Sequence, residues 1–403
     1  MKRWLLVYGP LGMGGIETLI VRLANHLASE GKDVAVLHSG GENVPLLSPD
    51  VTPLEYASRQ SAIGLGSRWL GREQAPAALI SFDPISAALG LAIEAVAPGG
   101  HAVHLSGIYH PRAFFMDGER ADRRWLNRMV AEAVGFERLF FMNEESRTEK
   151  QRRWEVALDR SPIIPVPVEE RNRQWSRAAS EAPLRIVSVG RLTDFKQYNI
   201  GASSIVRRLL DDGVEVSWDI YGDGALEPEV RAAIDRQGVS KQLRLCGTLP
   251  YAQLASTLLD YDLFVGLGTA ALEASMLGIP TIAATDSSAE GSYGWFHQLP
   301  FGNLGERQEG KEPTHRIEQL IRDYRAMPQA DRMTLSQDLH SGALRYALPG
   351  VARQLEALAD AAPSGGAPHA KRLTSMLYGL LTDSLPIRMV RALRQAVPSS
   401  NSR

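Results

Sequence analysis

The chain has 403 residues, of which 44% are apolar and 22% are charged, a composition typical of a folded protein and not of a disordered one. Its 44 basic and 46 acidic residues give a formal net charge of −2, which argues against nucleic acid as a partner. The single cysteine, Cys246, excludes a disulfide framework and a cysteine-rich metal site, and it fits a reducing compartment. The length predicts about two to three domains.

Two features of the sequence bear on location. The apolar run at residues 4–8 is too short for the core of a signal peptide and stops at Gly9 and Pro10. No later stretch has the length and apolar character of a membrane-spanning helix. We therefore expect a cytoplasmic protein, with peripheral contact to the inner face of the cell membrane left open.

In the first half of the chain, short β-like runs alternate with helical patterns, which predicts a parallel sheet covered by helices. The clearest helix is 17–30, where apolar residues recur at helical spacing and Gly31 follows as a left-handed end residue. The predicted strands are 4–8, 34–37, 78–82, 101–106 and 139–143.

A second alternating series begins after residue 183. Its predicted strands are 185–189, 217–221, 243–246, 263–265 and 281–284, with a helix at 272–277 among those between them. Residues 312–360 are predicted to be helical, with interruptions at Gly342 and Pro349.

The two series predict an α/β fold of two Rossmann-like, doubly wound domains that face a central cleft. The domains are expected at 1–168 and 184–344, joined by a linker at 169–183 that follows a proline-rich extended stretch. A helix at about 345–362 is expected to pack back on the first domain. Residues 363–403 are predicted to form a flexible break and a basic amphipathic tail.

A glycine-rich loop follows the first strand of the first series. Gly14 and Gly15 open the first helix, where backbone N–H groups and the helix dipole favour an anion. A dinucleotide fingerprint would need a third glycine where Glu17 stands and an acid after the second strand, where His38 stands. A P-loop is absent as well. A tight turn without a ligand remains an alternative for this loop.

In the second series, Gly190 and Arg191 end the first strand and Lys196 follows, so two cations at a strand end could hold a diphosphate. A solvated pair of basic residues is the alternative. The residues 266–274 then lead from a strand into a helix, with N–H groups of Gly268 to Ala271 available to an anion. Glu273 lies about one turn into that helix and could accept the hydroxyls of a ribose, or merely favour the helix dipole.

These residues resemble the retaining glycosyltransferases of the GT-B fold, family 4, over about residues 1–360. The matching motifs are Gly14-Gly15-Ile16-Glu17, Gly190-Arg191-Leu192 with Lys196, Tyr221-Gly222-Asp223-Gly224, residues 266–274, and Gly278-Ile279-Pro280-Thr281.

The resemblance implies a nucleotide-sugar donor (UDP- or GDP-sugar) in the second domain and a saccharide or lipid-linked acceptor held largely by the first, in surface polysaccharide or glycolipid synthesis. It assigns catalytic roles to Arg191, Lys196 and His110, although a hydrogen-bonded loop histidine is an equal alternative for the last. It assigns donor binding to Gly14, Gly15, Gly190, Gly222, Gly268, Thr269, Ala270 and Glu273. No Asp-x-Asp stands at a strand end, so we expect no obligatory metal ion and no cofactor.

One position departs from the family pattern. Many members carry a glutamate where this chain has Val265, and that glutamate normally helps to grip the sugar, so the donor is left open. The departure motivates a second hypothesis, a non-catalytic glycosyltransferase-like subunit. A third is a nucleotide-sugar 2-epimerase, which would need acid and base groups that the sequence does not offer beyond His110 and nearby acids.

Basic residues cluster in two segments, 119–153 and 371–403. The second holds six basic residues and one acidic residue, a net charge of +5. Both segments could lean on an anionic membrane. A solvated helix face for the first segment, and packing of the tail on its own domain or on a partner, are the alternatives.

Overall fold

The computed structural model describes residues 1–12, 14–73, 75–98, 102–109, 121–177, 183–307, 310–362 and Thr374, without the side chains of 121–126. Within these ranges the chain forms two compact units. One contains residues 1–166 and 348–362, and the other contains residues 167–347. No helix of this described part is long and apolar enough to cross a membrane.

The first unit is a six-stranded parallel sheet flanked by helices. Its strands run in the order β3-β2-β1-β4-β5-β6. They are β1 (Arg3–Val7), β2 (Asp33–His38), β3 (Val51–Glu55), β4 (Ala77–Ser81), β5 (Ala102–Ile108) and β6 (Leu139–Phe141). The helices are α1 (Gly15–Ser29), α2 (Arg59–Gly71), α3 (Pro84–Val96), α4 (Ala121–Val134), α5 (Glu144–Trp154) and the later α12 (Leu348–Ala361), which packs on α1.

Continuous apolar runs explain this architecture. Leu5 and Leu6 of β1 point to opposite faces of the sheet, and both are fully buried. A sheet covered on both faces requires such runs, and the helices supply the cover.

Two ion pairs hold α12 on the first unit. Lys32 pairs with Glu356 of α12 at 3.0 Å, and the N-terminal amine pairs with Asp360 at 2.8 Å.

The second unit is a seven-stranded sheet in the order β13-β12-β11-β10-β7-β8-β9. Its strands are β7 (Leu184–Val189), β8 (Val216–Tyr221), β9 (Leu243–Leu245), β10 (Leu263–Gly266), β11 (Thr281–Ala284), β12 (Gly291–Trp295) and β13 (His315–Arg316). Strands β7 to β11 are parallel, whereas β12 and β13 pair antiparallel. The helices are α6 (Tyr198–Asp211), α7 (Glu227–Gln237), α8 (Tyr251–Leu258), α9 (Thr269–Met276), α10 (Ile317–Ala326) and α11 (Gln329–Leu344).

The ten predicted strands are confirmed, with ends that shift by one or two residues. Three strands were not predicted: β3, β12 and β13. Strand β3 contains Pro53, which argues against a strand but is tolerated because β3 lies at the edge of its sheet. The predicted interruption at Gly342 is wrong, since this residue lies inside α11. Pro349 stands in the first turn of α12, where proline costs no helical hydrogen bond.

The segment between the two series packs on the second unit. Trp175 is buried and its indole Nε1 donates to the carbonyl of Tyr261 at 3.1 Å. Arg177 pairs with Asp262 at 2.7 Å, and the N–H of Trp175 donates to the carbonyl of Leu277. Residues 169–177 of the expected linker are therefore fixed to the second sheet.

Candidate functional site

The strand order of the second sheet reverses between β7 and β10. The chain moves from β7 to β8 and β9 on one side, and then from β10 to β11 on the other. The loops that follow β7 and β10 therefore depart in opposite directions and leave a crevice at the carboxyl ends of these strands. Ligands of open α/β sheets bind at such a switch point. The two loops that meet here carry Gly190 to Lys196 and Gly266 to Gly268.

The loop after β7 is held by the loop after β8. The N–H of Leu192 donates to the carbonyl of Asp223 at 2.7 Å. Gly222 has a φ of +150°, and a Cβ atom there would clash with the carbonyl oxygen of Gly190. Gly224 meets the carbonyl of Leu192 in the same way. The structure thus gives Gly222 a packing role, which is to let the Arg191 loop approach.

Lys196 bends back over the end of its own strand. Its Nζ atom lies 2.5 Å from the position that a Cβ atom would take on Gly190, whose φ of +147° also favours glycine. In the described ranges, no carboxylate lies within ion-pair distance of this amine. Burial, together with the smaller effect of the positive charge on nearby Arg191, lowers the pKa of Lys196 to about 8. A half-buried cation without a counter-charge is suited to bind an anion.

The start of α9 supplies the second part of the crevice. Gly268 precedes the helix with a φ of +79°, and no side chain caps the helix among the described residues. The N–H of Gly268 itself donates to the carbonyl of Leu304 at 2.6 Å, so the chain already supplies an acceptor for this group. The N–H groups of Thr269, Ala270 and Ala271 open the helix and carry its positive dipole end.

Two contacts connect the β7 side of the crevice to the β10 side, and a third supports them. Tyr198, at the start of α6, accepts a hydrogen bond from the N–H of Leu267, and burial raises the pKa of its hydroxyl. Ser188 of β7 donates to the carbonyl of Val265 at 2.6 Å. The indole of Trp218 donates to the same serine oxygen at 3.0 Å. The cationic loop and the helix start are therefore positioned by buried hydrogen bonds.

Glu273 lies within α9 and is only 8% exposed. Its Oε2 atom accepts a hydrogen bond from the hydroxyl of Tyr251 at 3.2 Å. Burial alone would lower the pKa of Arg171, but a hydrogen bond to Tyr251 and the charges of Glu169 and Glu273 raise it. Sequence reasoning missed Tyr251 and Arg171, because they lie in other elements and Arg171 lies in a stretch assigned to the linker.

Val265 is fully buried in β10, where it pairs with Ile282 of β11. A valine here fills the core of the sheet. The departure from the family pattern therefore places an apolar side chain in the core at this position.

The glycine loop of the first unit has a different character. Gly14 precedes α1, and a Cβ atom on it would clash with the carboxylate of Glu17. This carboxylate thus covers the start of α1 and complements the helix dipole itself. Burial raises the pKa of Tyr8 above its usual range, and the charges of Glu17 and Asp83 raise it further. The predicted approach of Gly14 and Gly15 to a diphosphate would require Glu17 to move.

Three further predictions concern a histidine, the two basic segments and a metal ion. His110 lies outside the described residues, as does the basic tail apart from Thr374. In the 119–153 segment, Arg128 pairs with Glu132 at 2.9 Å and Lys150 is fully buried, so neither offers an uncompensated charge to a membrane. In the described part of the chain, no cluster of three or more histidine, cysteine or carboxylate side chains could hold a metal ion.

The sequence matches no protein-family model and no curated protein sequence. Several solved structures resemble the fold of this chain. A glycosyltransferase from Rickettsia africae gives a TM-score of 0.65 at 11% identity, over 89% of this chain and 98% of its own. WaaG, a glycosyltransferase involved in lipopolysaccharide biosynthesis, gives 0.57 at 13% identity, over 89% and 100%. The chain has the GT-B fold.

A third similar structure is TarM from S. aureus, solved as a variant in complex with Fondaparinux, α-GlcNAc-glycerol and UDP. It gives a TM-score of 0.50 at 15% identity, over 74% of this chain, and the chain spans 59% of the length of TarM. The prediction of two Rossmann-like α/β domains of the GT-B type is confirmed by these structures and by the two parallel sheets.

Proposed function

We propose that this GT-B protein is a retaining glycosyltransferase of family 4, which moves a sugar from a nucleoside diphosphate to a saccharide or lipid-linked acceptor. The observation that carries this proposal is the crevice at the switch point of the second sheet. There the half-buried amine of Lys196, with no carboxylate at ion-pair distance among the described residues, and the uncapped start of α9 lie on adjacent loops, with Arg191 beside Lys196. A diphosphate fits this combination of two cations and backbone N–H groups.

The chemistry follows from where negative charge develops. As the bond between the sugar carbon and the phosphate oxygen breaks, charge builds on the departing nucleoside diphosphate. Lys196, Arg191 and the N–H groups of Thr269 to Ala271 stabilise that charge in place of a metal ion. The acceptor hydroxyl attacks on the face that the diphosphate leaves, and a phosphate oxygen takes its proton. The new bond therefore keeps the configuration of the sugar.

The comparisons support the class of reaction. WaaG is described as acting in lipopolysaccharide biosynthesis, and TarM was solved with UDP. By analogy we propose a role in surface polysaccharide or glycolipid synthesis, with the protein in the cytoplasm. The proposal names neither the sugar nor the base of the donor, because Val265 stands where many family members have the glutamate that helps to grip the sugar.

Ligand binding and transfer test the proposal. UDP, GDP and their sugars are screened for a rise in melting temperature, and the sugar that binds is then assayed for transfer to saccharide acceptors. Lys196→Met and Arg191→Ala should each lower the transfer rate by about a hundredfold or more. If both variants retain nearly the wild-type rate, the assignment of Lys196 and Arg191 is wrong.

A non-catalytic subunit is the second candidate, and the buried Val265 favours it. Such a subunit would bind a nucleoside diphosphate through Lys196 but would neither hydrolyse nor transfer a sugar. Incubation of the purified protein with donor alone and with donor plus acceptor separates the two candidates. The same donor-alone reaction reveals a 2-epimerase, since an epimerised donor would then accumulate.

A further inference from the structure

Two loops of the first unit hold each other through hydrogen bonds. We call residues 9–12, which follow β1, the β1 loop, and residues 39–43, which follow β2, the β2 loop. The N–H of Leu11 donates to the carbonyl of Gly40 at 2.7 Å, and the N–H of Asn43 donates to the carbonyl of Leu11 at 2.8 Å. The conformation of the β1 loop therefore depends on that of the β2 loop.

The close approach of the two loops requires glycine in the β2 loop. Gly41 has a φ of +128°, and a Cβ atom on it would clash with the backbone of Leu11. Beside this contact, the side-chain amide of Asn43 donates to the carbonyl of Gly12 at 2.7 Å. If the β2 loop moves, the β1 loop therefore loses hydrogen bonds from its backbone as well as this packing contact.

His38 fixes the start of the β2 loop. It is the last residue of β2 and only 1% exposed. Its Nδ1 atom accepts a hydrogen bond from the N–H of Gly40 at 3.0 Å. A ring nitrogen that accepts carries no proton, so the neutral ring bears its proton on Nε2. A second proton would go to Nδ1, where it would face the N–H of Gly40 and break this bond.

The surroundings of His38 favour the neutral ring. Burial lowers the pKa of His38, and the smaller effect of the negative charge on Glu55 opposes this. Glu55 ends β3, where it stands beside His38 in the register of the sheet, and its carboxylate also lies near Gly40. In the described part of the chain, Nε2 of His38 has no hydrogen-bond partner. Glu55 is thus close enough to attract a ring that has become charged.

The other ionisable groups nearby lie on α1, after β3 and after β4. The acids Glu17 and Asp83 raise the pKa of Tyr8, which burial raises more strongly. Burial also raises the pKa of Tyr56, whose N–H donates to the carbonyl of His38. Both tyrosines are therefore neutral in acid. Burial raises the pKa of Asp83 too, so the experiment has to distinguish this acid from His38.

We propose that His38 is an acid-sensitive switch for the two loops: the neutral ring holds Gly40 and with it the β1 loop, and the charged ring turns to Glu55 and releases both loops. The folded pKa of His38 lies below its unfolded value, so the loops are stable above about pH 6.5 and lose stability as the pH falls. The switch lies within the first unit and is independent of the proposed function. A ligand that contacts the β1 loop would bind less tightly in acid.

The experiment measures hydrogen exchange by mass spectrometry in the β1 and β2 loops at about pH 7.5 and about pH 5. Each rate is divided by that of an unstructured peptide at the same pH. We expect the protection of both loops in the wild-type protein to fall about tenfold in acid. The N–H of Leu192, which donates to Asp223 in the second unit, should stay within about twofold.

Two variants of His38 separate the hydrogen bond from the charge. His38→Asn places a side-chain oxygen near the position of Nδ1 but takes up no proton, so its loops should stay protected at both pH values. His38→Leu offers no acceptor, so protection should be low at both. His26→Asn, at a partly exposed histidine in the last turn of α1, and Asp83→Asn are the controls. Both controls should keep the wild-type response to pH.

Three results would overturn the inference. The first is a wild-type protein whose loops are equally protected at both pH values. The second is His38→Asn with the same loss of protection in acid as the wild type. The third is Asp83→Asn without that loss, because the proton would then be taken up by Asp83. The wild-type measurement needs no variant, so a variant that fails to fold leaves this test in place.

Discussion

The Nζ atom of Lys196 lies over Gly190, 2.5 Å from the point where a side chain would begin on that glycine. The glycine is required twice: its φ of +147° excludes most residues, and its missing side chain gives the lysine its place. Gly190 therefore permits the turn after β7 and also leaves the space for the lysine amine that we assign to diphosphate binding.

Substitution of Gly190 should therefore damage both stability and binding. We expect Gly190→Ala to cost about 1–3 kcal/mol of unfolding free energy through backbone strain and to displace Lys196. Chemical denaturation measures the first effect and calorimetric titration with pyrophosphate the second. Gly213→Ala is the control, because Gly213 also has a positive φ (+73°) but no atom near its missing Cβ. It should lower stability alone, and equal binding by the two variants would contradict the assignment.

Removal of the charge on Lys196 should stabilise the unliganded protein. Burial lowers the pKa of Lys196 to about 8, so at neutral pH the folded state carries a charge that it disfavours. Lys196→Met should raise the melting temperature in the absence of ligand and weaken pyrophosphate about ten- to a hundredfold. Differential scanning calorimetry without pyrophosphate measures the expected rise in melting temperature. The same measurement with pyrophosphate measures the expected loss of binding, as a smaller stabilisation by the ligand. The exposed Lys241 serves as control, as Lys241→Met should change neither quantity.

The same group should make stability and binding respond to pH in opposite directions. The folded pKa of about 8 lies below the unfolded value, so the protonated lysine is penalised in the folded state, and the unliganded protein gains stability as pH rises above 8. Binding of UDP needs the protonated amine and should weaken over that range. Titration calorimetry in buffers of different ionisation enthalpy should detect proton uptake on binding near pH 8. If Lys196→Met still takes up a proton on binding, the proton goes to another group and the assignment to Lys196 is wrong.

Beneath the crevice, Ser188 links three strands. Its hydroxyl donates to the carbonyl of Val265 and accepts from the indole of Trp218, and both side chains are buried. Ser188→Ala leaves the indole N–H without its acceptor, which should cost about 1–3 kcal/mol in urea unfolding. Ser256→Ala removes an exposed hydroxyl that donates to Gln253 and should cost much less. Equal losses would show that the buried network does not stabilise the sheet.

Sequence periodicity was enough for most of the fold. Alternation of β-like and helical runs identified two parallel sheets, because burial on both faces requires continuous apolar strands. The strands it missed, β3, β12 and β13, are edge or antiparallel strands. Edge strands need no such run, and Pro53 in β3 masked the remaining signal.

The candidate site, like the fold, was predicted only in part from the sequence. Glycines and cations at strand ends are local signals, so Gly190, Arg191, Lys196 and the start of α9 could be named from the sequence. Contacts between distant segments could not: Glu17 covers Gly14, Leu304 takes the N–H of Gly268, and Arg171 and Tyr251 reach Glu273. A sequence determines which groups follow each strand, through local preference and periodic burial. Only tertiary packing decides which of these groups are already satisfied by the chain and which are left for a ligand.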